Sequence, residues 1–337
     1  MSFQQIKGQD RQIEILKLVW EENRLPCAYL FTGPAGIGKS MVTKEFAKLI
    51  NCLDNKIGDS CDNCASCVKI DNGNHPDVHW LSAGNFKGDL SETTTDSIKI
   101  EDIRRLQNDI SLKPYEARIK TFIINDAHNL TLEAANAFLK ILEEPPKNSL
   151  IILITSQPQL LPATILSRCQ KLKFSPLEKD LLEELLNKEY RLDNVLSHYL
   201  AYFCEGRLGV ALNLKDKDLL LNKNRIIDYF TRPPRSRGGF NDPRINNLDV
   251  EFNKNKIKEI LGILISWFRD IYFIKIGMPY MQLINIDRKN DLVNSMDLYS
   301  FSELDSIFGF IARSALYLEN NINPKLLLNN LRVTIGS

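Results

Sequence analysis

The octapeptide Gly33-Pro34-Ala35-Gly36-Ile37-Gly38-Lys39-Ser40 carries glycine, lysine and serine at the spacing G-x-x-x-x-G-K-[ST]. Glycines in such a loop let backbone N–H groups turn inward on phosphate oxygens, and the N-terminus of a following helix adds a favourable dipole. Lys39 would reach the β- and γ-phosphates, and Ser40 would offer its hydroxyl to Mg²⁺. With glycine at about 7% of ordinary sequence, a chance match in a chain of this length is on the order of one per cent. The spacing predicts a pocket for ATP or ADP with Mg²⁺, built on Gly33, Gly36, Gly38, Lys39 and Ser40.

Splitting a bound nucleotide asks for more. An acid at the end of a second strand holds Mg²⁺, and a carboxylate beside it orients the attacking water. Here the apolar run Lys120 to Ile124 ends in Asn125-Asp126-Ala127-His128. Asn125 in the first position is a neutral ligand that holds a metal poorly, and Asp126 in the second is one methylene shorter than glutamate. With the motif shifted by one residue, Asp126 is itself the metal acid, and Ala127 leaves no adjacent base. Neither alignment predicts efficient unassisted hydrolysis.

A second chemical cluster follows the spacing C-x8-C-x2-C-x2-C at Cys52, Cys61, Cys64 and Cys67. Four thiolates suit tetrahedral Zn²⁺, and each C-x2-C sets two sulfurs on one tight knuckle. An iron–sulfur cluster is the chemical rival, but its run continues with a cysteine and a proline, where Asp71 and Asn72 stand. A closed four-sulfur site leaves no open coordination position, so a structural Zn²⁺ is expected. Seven cysteines, an odd number with four in one cluster, argue against a disulfide framework. Cys27, Cys169 and Cys204 read as small buried side chains.

Elements must hold these residues in place. Ile13, Leu16, Leu18, Val19 and Trp20 predict a helix over 10–24, broken by Pro26. The run Ala28 to Phe31 reads as a strand leading into the glycine loop, and Met41 to Ile50 as the helix after it. A polar, exposed insertion is expected over 82–97, and a helix over 101–111. The strand Lys120 to Ile124 is followed by a helix from Thr131 to Leu142, stopped by Pro145-Pro146, and by a strand from Leu150 to Ile154. Strands alternating with helices predict a parallel α/β sheet. After Pro176 the pattern is helical. A stretch rich in proline, glycine and arginine, Thr231 to Gly239, reads as a linker. From Val250 to Leu331 the pattern is helical again, with Ile257, Ile260, Leu261, Leu264 and Phe268 on one stripe.

With 337 residues, two or three domains are expected. A composition of 44% hydrophobic and 25% charged residues is that of an ordinary globular protein, and a net charge of +1 removes any argument from overall basicity. Met1 to Lys7 lacks the apolar core of a secretory signal. No apolar run approaches the ~18–20 residues of a bilayer span, so the expected location is cytoplasmic.

Several segments together resemble the clamp-loader branch of the AAA+ ATPases. They are Gly8-Gln9, Arg24-Leu25-Pro26, the glycine loop, the cysteine cluster followed by His75-Pro76-Asp77, the run Ala134 to Pro146, and Ser167-Arg168-Cys169. The resemblance is detailed over 1–215 and architectural beyond. It implies an α/β P-loop (AAA+ RecA-like) domain over 1–177 with an inserted zinc module at about 51–76. A small helical lid would span 178–240 and an all-α collar 245–337. Arg168 matches the family's arginine finger, which acts on the nucleotide of a neighbouring subunit, and Thr155 its sensor threonine. Gly206-Arg207-Leu208-Gly209 has glycine where the motor subunits carry a sensor arginine. A finger without a matching hydrolytic site implies the non-hydrolysing member of the DNA polymerase III clamp loader. Its partners would be the motor (gamma/tau) and delta subunits, and through them the sliding clamp and primer-template DNA. Two other readings stay open. A motor-type ATPase would show turnover lost on Lys39→Ala, and a zinc-dependent nucleic-acid-binding module would show salt-sensitive DNA affinity.

Overall fold

A computed structural model describes residues 2–54, 58–83, 85–86, 97–215, 218–231, 254–319 and 324–336. Most of the 82–97 insertion and the linker from Arg232 to Gly239 lie outside the described residues. So does the stretch holding the 240/245 boundary. The chain forms two compact units. One comprises Met1–Glu178 with Gly206–Val210, and the other Lys179–Glu205 with Ala211–Ser337.

The first unit is built on a sheet in the order β3-β2-β4-β5-β1-β6. The strands are β1 (Ala28–Thr32), β2 (Val78–Ser82), β3 (Asn85–Phe86), β4 (Lys120–Ile124), β5 (Ser149–Thr155) and β6 (Gln170–Lys173). All pair in parallel except β3, which runs antiparallel to β2. The central strands are apolar on both sides because helices cover both faces. On one face Tyr29, Phe31, Ile123, Ile152 and Ile154 pack with Val42, Phe46 and Leu49 of α2 (Lys39–Asn51) and with Ile13 and Leu16 of α1 (Asp10–Glu21). On the other, Leu30, Phe122, Ile124, Ile151 and Leu153 pack with residues of α4 (Ile100–Ser111) and α5 (Leu132–Glu143), including Ile103, Leu106 and Phe138.

Two expectations are corrected. Leu18 is 52% exposed. It lies two residues beyond Leu16, about 200° around the helix, whereas Ile13, Leu16 and Trp20 share a face. Cys27 is exposed, while Cys169 and Cys204 are buried. The triplet His75-Pro76-Asp77 has a clear structural task. The buried Asp77 carboxylate accepts the backbone N–H groups of Tyr115, Glu116 and Ala117 at 2.9, 2.8 and 2.9 Å, closing the loop before β4. Burial pushes its pKa up, yet these donors hold it below the usual carboxylate range.

The second unit is helical. Its core gathers on Lys254–Lys275, where the stripe Ile257, Ile260, Leu261, Leu264 and Phe268 is buried together with Trp267. Ile226, Ile227, Tyr229 and Phe230 of the helix Leu219–Thr231 join the same cluster. Among the described residues, no helix is long and apolar enough to cross a membrane.

Candidate nucleotide pocket and metal centre

The glycine loop runs from the end of β1 into α2, so its backbone N–H groups lie at a helix N-terminus. Gly36 and Gly38 take φ of +79° and +96°, in the left-handed region that favours glycine. Gly36 is crowded as well, since a Cβ there would meet Val210 Cγ2 at 2.7 Å. The Gly209 N–H donates to the Gly36 carbonyl at 2.8 Å. A Cβ on Gly209 would stand 2.8 Å from that same oxygen, so position 209 has no room for an arginine in this arrangement. The segment Gly206–Val210 thus sits on the loop.

Lys39 is buried, and its Nζ donates to the carbonyls of Gly33 and Pro34, each at 2.6 Å. Burial lowers its pKa to about 8, against the upward pull of the Asp126 charge. The Ser40 hydroxyl donates to Asn125 Oδ1 at 3.2 Å. The Asn125 amide in turn donates to Asp126 Oδ2 at 2.9 Å. Strand β5 lies between β1 and β4 and carries Thr155 opposite Thr32, the residue before the loop. The buried Thr155 hydroxyl accepts the Gln157 N–H at 3.0 Å and lies 3.2 Å from His128 Nδ1. A cleft of about 510 Å³ opens beside Ser40 and Asn125, lined also by Lys44, Asp71, Trp80 and Ser82.

Arg168 stands apart from this group. Its Nη2 donates to Glu143 Oε1 at 2.8 Å and its Nη1 to the Thr164 carbonyl at 3.1 Å, with the side chain 36% exposed. Sequence reasoning missed Glu143, although its place at the end of α5 before Pro145-Pro146 marked it as unusual. It also missed His128, for which a lone polar residue after a strand is no signal.

The four cysteines converge. Their sulfurs all lie within 4.8 Å of one another, and the Cys52–Cys64 pair is 4.0 Å apart. Tetrahedral Zn²⁺ with Zn–S near 2.3 Å asks for sulfurs about 3.8 Å apart, so the set fits. Backbone N–H groups already point at the sulfurs: Cys61 to Cys52 at 3.4 Å, Cys64 to Cys61 at 3.3 Å and Cys67 to Cys64 at 3.4 Å. Burial pushes the Cys64 thiol up, but N–H donors from Cys67 and Leu53 outweigh it and hold it at about 6. The cluster bridges the end of α2 and the start of α3 (Ala65–Asn72). Beneath it, the fully buried Lys48 meets Glu45 at 3.0 Å and Asp71 at 3.0 Å, and also Asp62.

Comparison with known proteins places these features. The family described as DNA polymerase III, delta subunit, matches residues 8–178, and that of its C-terminal part matches 242–333. Subunit delta' of DNA polymerase III from Bacillus subtilis (strain 168) is 33% identical over 329 residues, covering 95% of this chain and 94% of that protein. The chain belongs to the DNA polymerase III delta-subunit family. Within that family its similarity to a delta' subunit is nearly full-length. The tau subunit of the same organism is 31% identical over 220 residues, 64% of this chain, and the match spans 37% of that longer protein. A solved gamma subunit-related protein of DNA polymerase III from Thermotoga maritima aligns over 96% of this chain and 97% of its own, with 18% identity and a TM-score of 0.48. In this family member the glycine loop, Asn125, Asp126 and Thr155 gather at the C-terminal ends of parallel strands, where open α/β sheets bind ligands.

Proposed function

We propose that this chain is a delta'-like subunit of the DNA polymerase III clamp loader that holds a nucleotide without spending it and acts on its neighbour's. It works in a hetero-oligomeric ring with gamma/tau-type motor subunits and a delta subunit, and through the ring with the sliding clamp and primer-template DNA. Residues 1–177 form the nucleotide-binding AAA+ domain, 178–240 the lid and 245–337 the collar. The observation that carries the reading is the contrast between two sites. Ser40 faces an amide where a motor needs a metal-holding carboxylate, while Arg168 is partly exposed and available to act as a finger in trans. Cys52, Cys61, Cys64 and Cys67 hold a structural Zn²⁺ that fixes the α2–α3 connection, and its closed sulfur shell leaves no position for catalysis. Mixing the purified chain with tau and delta subunits and following assembly by size-exclusion chromatography with light scattering tests the reading. A single complex is expected, and three separate species would overturn it.

In the pocket, Gly33, Gly36, Gly38 and Ser40 shape the phosphate cradle, Lys39 supplies positive charge and Thr155 sits at the strand end beside it. The Lys39 pKa yields a pH prediction. Phosphate is bound by the ammonium form, and binding raises the lysine pKa above its value of about 8 in the free protein. Nucleotide affinity is therefore fully present below about pH 8 and declines above it, by up to about tenfold per pH unit. Calorimetric titrations with ADP at pH 7, 8 and 9 check this; an affinity that rises across that range would contradict it.

The second reading, a gamma/tau-type ATPase, draws on the 31% identity to tau. It requires turnover by the isolated chain, abolished in Lys39→Ala. The lack of room for a side chain at Gly209 speaks against it.

A further inference from the structure

Mg²⁺ takes oxygen ligands in near-ideal octahedral geometry at about 2.0–2.1 Å, and a protein usually holds it through one or two carboxylates together with the phosphates. In this pocket the donors do not meet that requirement. The Ser40 hydroxyl is turned to the neutral amide oxygen of Asn125 at 3.2 Å. Two carboxylates lie nearby, Asp126 and Asp71, and neither is the partner of the Ser40 hydroxyl. Asp126 has φ +49°, and its Oδ2 accepts the Asn125 amide N–H at 2.9 Å. Asp71 lines the same cleft as Ser40 and Asn125, but its Oδ1 meets Lys44 at 2.9 Å and its Oδ2 meets Lys48 at 3.0 Å.

Space is not the obstacle, because the cleft of about 510 Å³ opens directly beside Ser40 and Asn125. What the Ser40 hydroxyl lacks is an anionic partner, since it meets the Asn125 amide where a carboxylate would share a metal with it. Positive charge toward phosphate comes instead from the chain itself, through Lys39 and the N-terminus of α2. We infer that the pocket takes a nucleoside di- or triphosphate without its divalent cation, and that Asn125 sets this preference. The inference rests on the nucleotide-pocket reading above. The asparagine does two things at once. It occupies the serine that would otherwise turn to the metal, and it offers no charge in return.

The test is equilibrium binding of ADP and ATP to the full chain in EDTA and in excess Mg²⁺, followed by electron paramagnetic resonance with Mn²⁺ as the probe ion. Binding weaker in excess Mg²⁺ than in EDTA is expected, by about tenfold or more for ATP, because the cation draws the nucleotide into a complex that the pocket does not take. The Mn²⁺ spectrum with wild-type chain and ADP should match that of Mn²⁺ and ADP alone. Asn125→Asp keeps the side-chain size and supplies the missing carboxylate, so Mg²⁺ should tighten nucleotide binding to that variant by about tenfold or more. A new Mn²⁺ signal should appear with it. Should Asn125→Asp fail to fold, the wild-type Mn²⁺ spectrum decides alone. A wild-type affinity as high in Mg²⁺ as in EDTA or higher, or a protein-bound Mn²⁺ signal in the wild type, would overturn the inference and leave the pocket reading standing. Absence of binding in both conditions would overturn the pocket reading itself, and the inference with it.

Discussion

Replacing Arg168 by alanine in the assembled loader is expected to slow ATP hydrolysis at the adjacent motor site by about 10³-fold or more, the range over which arginine fingers act. Nucleotide binding by this chain should stay unchanged. The reason is electrostatic. A planar guanidinium placed across an interface meets charge that develops on the transferred phosphoryl group, and no other cation of the chain stands within Ser167-Arg168-Cys169. The resting contacts to Glu143 and the Thr164 carbonyl do not oppose this role. An ion pair this exposed is worth at most about 1 kcal/mol, so the side chain can leave it at small cost and the variant should fold normally. Arg168→Lys should fail almost as completely, because an ammonium lacks the fork geometry of the guanidinium. Single-turnover hydrolysis by the reconstituted complex reads the effect. Wild-type rates in both variants would remove the finger assignment.

The second large effect concerns the cysteine centre. Removing Zn²⁺ with a chelator, or replacing Cys64 by serine, is expected to release the 52–67 segment and the start of α3. The consequence reaches below the metal. Lys48 is fully buried, and two of its carboxylate partners among the described residues, Asp62 and Asp71, come from this segment and from α3. Stripping partners from a buried charge costs about 3 kcal/mol or more. For a unit of this size that corresponds to a fall of roughly 6–12 °C in the melting temperature of the first unit. Calorimetry together with metal analysis checks it. Wild type should carry about one zinc per chain and Cys64→Ser almost none. An unchanged transition in a zinc-free chain would show that the cluster contributes nothing to the fold.

How much of this was legible beforehand depended on how local each signal is. The glycine loop, the four cysteines and the central strands are contiguous patterns, and strands buried on both faces read as plain apolar runs. Strand β2, Val78-His79-Trp80-Leu81-Ser82, mixes polar and apolar residues, and β6, Gln170 to Lys173, lies at a sheet edge where only Leu172 turns inward. Neither has a pattern that stands out from a loop. Leu18 is apolar but lies about 200° around the helix from Leu16, so apolar content alone does not assign it to the buried face. The contacts that decide the site were beyond sequence altogether. Ser40 and Asn125 are 85 residues apart. Gly209 differs from a motor subunit's arginine by family comparison alone. Only its distance to the Gly36 carbonyl gives a physical reason why a side chain has no place there.

The central claim is that this chain keeps a nucleotide pocket but makes its catalytic contribution next door. Steady-state ATPase of the reconstituted loader, measured with Lys39→Ala and with Arg168→Ala in this subunit alone, tests it most directly. Lys39→Ala should leave turnover of the complex within about twofold of wild type, and Arg168→Ala should abolish the contribution of the neighbouring site. The reverse pattern, with turnover lost in Lys39→Ala and retained in Arg168→Ala, would contradict the account and identify the chain as a motor in its own right.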